Sequence, residues 1–497
     1  MMGWLSDITL RGMFLLSTLF LFSLGVLVLV LLVLYVIDRT QCRDAIRHNY
    51  PVIGRFRALF IWLGEFFRQY FFAMDREEMP FNRAQREWVY KSSEGADNTV
   101  AFGSTSNIAA PGSVIFVNTV FATLEEDAVE APPVTIGPDT AHPYAMQSII
   151  NISAMSYGAI SRPAVQALSR GAARAGCWLN TGEGGLAPWH LEGGCDIVFQ
   201  FGTANFGVRD ERGRLDDGRL RAVAAHEQVR MIEIKLSQGA KPGKGGILPG
   251  VKVTEEVARI RGIPVGQDCI SPNRHHGVET LDDLLDLIAR VRRVTGKPTG
   301  IKTALGDIGW VERLCAAINR RGAASAPDFL TIDSGDGGSG AAPMALIDNT
   351  GLLIREALPL TVDTLIEHGL RQRIKVIAAG KLITPAEVAW AYCAGADFVN
   401  SARGFMFAIG CIQAMRCNRN TCPTGVTTHD PRLQAGLDPQ DKALRVANFV
   451  ERIRKDVGII AHSCGVPHPR ALERRHARIV QPDGRTLRMD AIYGAGR

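Results

Sequence analysis

The chain has 497 residues, too many for one ordinary domain of about 100–200 residues unless one unit is a barrel of roughly 250. Apolar residues at 46% and charged residues at 21% exclude a disordered protein, and a net charge of +6 without a long basic run excludes nucleic acid as a partner. Glycine, at 51 residues, exceeds its usual share of about 7% without a G-X-Y period, so collagen is excluded and turns with close backbone approaches are expected.

Met13 through Ile37 carries no charged residue. At 1.5 Å per residue this stretch of about 25 residues makes a helix about 37 Å long, enough to cross a hydrocarbon core of about 30 Å. It is longer than the apolar region of a signal peptide. Arg11 is the basic side chain before it, whereas Arg39, Arg43, Arg47, Arg55 and Arg57 come after it. The positive-inside rule therefore puts the C-terminal body in the cytoplasm, as a single-pass protein of the inner membrane. A second apolar stretch, Leu59–Leu63 with Phe66, Phe67, Tyr70, Phe71 and Phe72, is interrupted by Glu65 and Arg68. It is too short and too charged to span, and reads as an amphipathic helix lying on the membrane or on the body.

Between about 147 and 410, short β-branched runs alternate with helical patterns. The strands expected are Ile149–Ala154, Trp178–Thr181, Met231–Lys235, Asp268–Ser271, Thr299–Thr303, Phe329–Asp333, Lys375–Ala378 and Phe398–Ser401. The helices include Ala164–Ala175, Thr280–Val294 and Pro385–Cys393. This is the signature of an α/β chain folded as a (β/α)8 TIM barrel, with a doubly wound open sheet as the alternative. No G-x-G-x-x-G turn comes after the first strand, which weakens that alternative. Barrel chemistry sits at the C-terminal strand ends. There the sequence places Met155-Ser156-Tyr157-Gly158, Glu183-Gly184-Gly185, Lys235 with Gly239 to Gly243, Lys302, Asp336 to Gly340, Gly380-Lys381 and Ala402-Arg403-Gly404. The late βαβ segment with glycine after each strand is suited to cradling a phosphate on backbone N–H groups.

Of ten scattered cysteines, which include Cys42, three bunch as Cys411, Cys417 and Cys422, spaced C-x5-C-x4-C with proline after the last. The pattern is poor for zinc, which favours four ligands with a close pair. An iron–sulfur cluster with three protein ligands suits it better, against the alternative of three buried structural thiols.

In order along the chain, SAMSYGAIS (153–161), NTGEGG (180–185), IEIKLSQGAKPGKGGILPGVKV (232–253), CISPNRHHGVETLDDLLDLI (269–288), DSGDGGSGAAP (333–343) and the cysteine loop resemble the FMN-binding synthase domain of glutamate synthase, over about 105–460. With residues 1–37 carrying the membrane helix and 38–104 a membrane-proximal helical segment, the whole is similar to membrane-anchored bacterial members of that family; 461–497 is a basic tail. The resemblance implies an FMN held by Ala154, Met155, Ser156, Gln200, Lys302, Asp336, Gly337, Gly338, Ser339, Gly380, Lys381, Ala402 and Arg403, and a 3Fe–4S cluster on Cys411, Cys417 and Cys422. It implies that Glu183, Lys235, Lys241 and Arg261 surround a 2-oxo acid, although a solvated helix face is the plain alternative for Arg261. The expected reaction is hydride transfer between FMN and an imine or amino acid, with 2-oxoglutarate and ammonia giving glutamate. Lys302 would steady the anionic reduced flavin, and Glu183 would orient ammonia or relay a proton.

The chain departs from the family's GEGGQLPG, reading GKGGILPG, so that Lys244 replaces an acid and Ile247 a substrate-contacting glutamine. Residues 1–104 show no N-terminal cysteine nucleophile for glutamine hydrolysis. Ammonia and electrons are therefore expected from solution or from partners, such as a ferredoxin-like or reductase protein. The alternative function is a flavin and iron–sulfur electron-transfer subunit of a membrane redox complex. His275-His276 resemble a family pair near the active site, with a packed role as the alternative. Arg470, Arg474, Arg475 and Arg478 make the tail either a lipid- or partner-touching surface or a solvated helix.

Overall fold

The computed structural model describes residues 2–41, 45–67, 71 and 74–494. Cys42, Arg43, Arg68, Tyr70 and Phe72, and the side chains of Glu65 and Phe66, lie outside the described residues. The chain divides into two units, 1–84 and 85–497.

The first unit is dominated by one helix, Met2–Thr40. Within Thr9–Thr40, an apolar stretch with a mean hydropathy of 3.1, the most apolar window has no buried residue, so it is not a core helix of this chain. Asp38, near the end of that helix, is fully buried by residues 47–55. Arg47 Nη2 and Arg55 Nη2 each reach it at 2.7 Å, and the Val52 amide donates to it at 3.0 Å. The second apolar stretch is a helix, Phe56–Phe67, with Phe56, Phe60, Ile61 and Trp62 exposed.

The second unit is built on a closed barrel of eight parallel strands: β1 (Ile150–Ile152), β2 (Leu179–Asn180), β3 (Ile197–Phe201), β4 (Val229–Lys235), β5 (Thr299–Thr303), β6 (Phe329–Asp333), β7 (Lys375–Ala379) and β8 (Phe398–Ser401). Each strand pairs with its neighbours in sequence, and β8 closes onto β1 through Asn400 opposite Asn151. Seven of the expected strands are present. Asp268–Ser271 is not a barrel strand: Cys269–Ile270 pairs antiparallel with Ile247–Leu248, outside the barrel, between β4 and β5. The missing position is taken by β3, all five residues of which are buried. A short, fully buried run shows no alternation, and so carries no period to detect.

The helices begin and end where their caps dictate. Thr280 caps Leu281–Thr295 by accepting the Asp283 amide, and Gly296 ends it in the left-handed region. Leu284, Leu285, Ile288 and Val291 give that helix its buried face. Ser161 caps Arg162–Ala175, which packs on the long helix Pro439–Ser463. The two approach so closely that a Cβ on Gly171 would lie 2.5 Å from Val446.

The N-terminal end of the barrel is plugged. The hairpin Val134–Ile136/Tyr144–Met146 brings Ile136, Tyr144 and Met146 against Trp178, Val198, Met231, Phe329, Ile377 and Phe398. Trp178 is fully buried and donates its indole N–H to Asn400 Oδ1 at 3.1 Å.

The tail is not a solvated helix, and of its four arginines two are buried while Arg475 stays exposed. Ala477–Val480 and Thr486–Arg488 form a three-stranded antiparallel sheet with Val114–Phe116. Arg474 is 1% exposed, paired with Asp363 at 2.6 Å and bonded to Pro359 O. Arg470, also buried, holds Asp397 O and stacks 4.7 Å from the Phe398 ring centroid. Carbonyls and rings replace water around these two cations, which is why Arg470 and Arg474 read as surface in sequence and fold as core.

Candidate active site

The C-terminal strand ends open into a cavity with two adjoining lobes. An axial lobe of about 590 Å³ lies over the barrel axis, lined by Ser153, Gln200, Lys235, Lys302, Asp333 and Lys381 among others. A loop lobe of about 840 Å³ is lined by Ile160, Lys241, Ile247, Leu248, Arg261 and Met406 among others. Ala154, Ser156, Glu183, Gln238, Gly338, Ala402 and Arg403 line both, so they form the seam.

The side chains here arrive from strands and from the loops directly after them. Lys235 closes β4, and its ammonium donates to Glu183 Oε1 at 2.8 Å and to Gln238 Oε1. Burial raises the carboxyl of Glu183, but Lys235, Lys241 and Arg261 outweigh it and hold its pKa below the usual carboxylate range. Glu183 is therefore a charged acceptor at neutral pH. Two glycines make room for it: a Cβ on Gly246 would sit 2.2 Å, and one on Gly202 2.3 Å, from its carboxylate oxygens.

Lys241 donates to Ala341 O at 2.8 Å. Burial, with Lys235 beside it, lowers its pKa to about 8. Arg261 is 4% exposed, not the solvated helix residue that its sequence position allows. One Nη holds Tyr157 O at 3.0 Å, and the guanidinium lies 5.3 Å from the Phe206 ring centroid. Its Nε, with Ser271 Oγ and Thr427 Oγ1, is buried in the lining of the loop lobe without a partner among the described residues. Three orphaned polar atoms around one cavity mark the place of a polar ligand.

In the axial lobe, Lys302 lies on β5 and pairs with Asp333 at 3.2 Å. Burial works against its charge, but Asp333, Glu233 and Glu183 raise its pKa above the ordinary lysine value. Arg403 donates to Ser339 O at 3.1 Å and Lys381 pairs with Asp336 at 2.9 Å. Gly380 has φ +105°, and a Cβ there would lie 2.4 Å from Ser334 Cβ, so no side chain is tolerated beside the lobe. Gly182 is equally constrained, 2.5 Å from Ser156 N.

The expected FMN residues Ala154, Met155, Ser156, Gln200, Lys302, Gly338, Ser339, Gly380, Lys381, Ala402 and Arg403 all line one lobe or both. Asp336 and Gly337 do not; Asp336 anchors Lys381 from behind the wall, and Gly337 packs against Gly239. Gln238, Asp333, Ser271 and Thr427 also line the cavity; the first three lie inside stretches that carry the resemblance but were not expected as site residues. Gln238 and Asp333 stand at strand ends, three residues after Lys235 and at the end of β6, and position alone identifies them. Ser271 lies in the CISPNRHHG stretch, whereas Thr427 falls outside every stretch that carries the resemblance and has no signal in sequence. His275 lines neither lobe; its Nε2 is 2.8 Å from Lys235 O and its ring meets Phe201 edge-on, which is the packed role.

Cys411 and Cys422 are buried and Cys417 half-buried, on the loop after β8. Burial, the leading cause, pushes the Cys411 thiol up to about 11. Lys252 donates to Cys417 O at 3.0 Å, and Gln413, Met415 and Asn420 on the loop have positive φ. Among the described residues, no group of three or more His, Cys, Asp or Glu converges to hold a metal. The donor chemistry suits iron, but the thiols are not gathered into a chelating group.

A family model described as the conserved region in glutamate synthase matches residues 112–467. The chain is 37% identical over 499 residues to the glutamate synthase large subunit-like protein YerD of Bacillus subtilis, covering 92% of this chain and 94% of that one. It is 34% identical over 345 residues to the archaeal-type glutamate synthase (NADPH) of Thermotoga maritima, covering 69% of this chain and 64% of that one. Likeness to the flavin-binding domain of baker's yeast flavocytochrome b2 is remote, with a TM-score of 0.45 and 14% identity over 81% of each chain. Since the matched stretch takes in the whole barrel, both lobes and the cysteine loop, the chain belongs to the glutamate synthase family.

Proposed function

We propose that this protein is an FMN-dependent oxidoreductase of the glutamate synthase type. It acts on the CH–NH2 group of an amino acid or on the matching imine, formed from 2-oxoglutarate and ammonia or from a related oxo acid. The observation that carries this reading is the buried Glu183–Lys235 pair at the seam of the two lobes. A cofactor on one side and a small polar substrate on the other would meet there.

FMN fits the axial lobe by its chemistry. Lys381 and Arg403 offer cations for a phosphate, the tight backbone turns at Gly182 and Gly380 line the lobe without side chains, and Lys302 offers a buried positive charge. When bound, FMN supplies the hydride donor or acceptor. Lys241 and Arg261 pair with carboxylate in the loop lobe, where desolvation makes each pairing strong. Glu183 accepts an N–H of the substrate nitrogen and exchanges a proton there. Ile160, Ile247 and Leu248 keep water from the reacting atoms.

Cys411, Cys417 and Cys422 are proposed as ligands of a 3Fe–4S cluster on the strength of donor type and spacing. The N-terminal helix is proposed as a single-pass anchor in the cytoplasmic membrane with the body in the cytoplasm, supported by its length and hydropathy. Electrons would come from a ferredoxin-like or reductase partner, and ammonia from solution.

Anaerobic purification in mild detergent, a visible spectrum, and reoxidation by 2-oxoglutarate with ammonium test the assignment. A flavin band and reoxidation that needs both compounds are expected. Absence of flavin would overturn the reading. Flavin inert to every oxo acid would favour an electron-transfer subunit. Full iron content in Cys417→Ser defeats the cluster, and release of the body by alkaline washing defeats the anchor.

A further inference from the structure

Beneath the axial lobe lies a carboxylate that the mechanism does not use. Glu233, on β4, is 1% exposed. Its Oε1 accepts from Asn180 Nδ2 at 2.8 Å and Gln200 Nε2 at 2.6 Å, and its Oε2 accepts from Thr331 Oγ1 at 2.6 Å. Donors from β2, β3 and β6 thus converge on two oxygens, and the group acts as an acceptor throughout. A carboxylate in this role has one physical consequence for its neighbour. Gln200 carries two donors on Nε2 and an acceptor at Oε1, and only the Nε2 end can face Glu233. The backbone of Gln200 is pinned as well, its amide donating to Thr181 Oγ1 at 3.0 Å. Gln200 is 1% exposed and lines the axial lobe, and its Oε1 has no protein partner among the described residues. A buried acceptor is therefore held at the lobe with its polarity already chosen.

We propose that Glu233 is a positioning residue, which locks the Gln200 amide so that Oε1 is presented to the lobe as an acceptor for an imide N–H of the bound flavin ring. This rests on the axial lobe holding FMN. Asn180 couples the same carboxylate to the wall of the lobe, since its Oδ1 accepts the Gly182 amide at 3.0 Å. Glu233 consequently fixes one ligand-facing amide and one ligand-facing turn at once.

The test compares binding of FMN and of FMN methylated at the imide nitrogen to full-length apoprotein in detergent, by quenching of flavin fluorescence. Wild-type protein is expected to prefer FMN by roughly tenfold or more, the value of one buried hydrogen bond together with its steric counterpart. In Glu233→Leu the freed amide turns, and the preference is expected to fall severalfold while FMN still binds. Glu233→Gln can still accept from Gln200 and should keep the preference. Gln200→Ala, with Glu233 intact, should lose it, and gives a second route where Glu233→Leu fails to fold. The paired swap Glu233→Gln with Gln200→Glu restores an oxygen at the lobe and should recover the preference lost in Gln200→Ala. An unchanged preference in Glu233→Leu or in Gln200→Ala overturns the proposal. Failure of wild-type apoprotein to bind FMN at all overturns instead the assignment of the axial lobe.

Discussion

The two ends of the barrel are built on opposite principles from the same eight strands. At the N-terminal end, nine large apolar or aromatic side chains close the interior, and the one polar group of Trp178 is met by Asn400. At the C-terminal end, Lys235, Lys241, Lys302 and Glu183 are held out of water, and Arg261 Nε, Ser271 Oγ, Thr427 Oγ1 and Ser401 Oγ have no partner among the described residues. Apolar burial stabilises the first end at about 25 cal/mol per Å². Desolvated charge and unmet hydrogen bonds cost stability at the second. The fold gives up stability where it does chemistry, and recovers it at the plug.

That contrast is open to direct attack. The largest effect is expected at the seam: Lys235→Met should lower turnover at least about a hundredfold by leaving Glu183 without its nearest cation. Steady-state rates beside a thermal melt check this, and an intact rate would mean that the seam is structural. At the opposite end, Trp178→Ala should cost about 3–5 kcal/mol in denaturant unfolding, while protein that remains folded keeps its affinity for substrate. Equal damage to both readouts would mean that the ends are not separable. Next in size, Gly380→Ala should lower flavin occupancy, because its Cβ would meet Ser334 in a backbone conformation with φ +105°; flavin-to-protein ratio on purification measures it. The smallest effect is on pH. Burial lowers Lys241 to about 8, so it is charged below that pH and neutral above it. KM for an anionic oxo acid should therefore rise as pH passes upward through about 8, and Lys241→Arg should move the rise to higher pH.

Residues near strand ends were the most readable part of the site. Lys302, Glu183 and Lys235 stand where an α/β alternation places chemistry, and one sequence suffices to find them. β3 was hidden because it is buried on both faces and has no polar alternation. Cys269–Ile270 imitated a barrel strand because a short apolar pair looks the same in a loop hairpin as in a barrel. Arg470 and Arg474 were misplaced for a different reason: a cation's burial depends on carbonyls and rings contributed by distant segments, here Asp397, Pro359 and Phe398.

By itself the sequence determined the α/β barrel class with seven of its eight strands, the N-terminal apolar helix and the inventory of cations and thiols, because periodicity, length and residue type are local. Tertiary structure alone decided which polar atoms share a cavity. Arg261, at the end of the helix Glu255–Arg261, and Ser271 come from the segment after β4, and Thr427 from the one after β8, more than a hundred residues apart at their extremes; they meet only when the barrel closes. Polarity at Gln200 was decided the same way, since the carboxylate that orients it stands on the next strand.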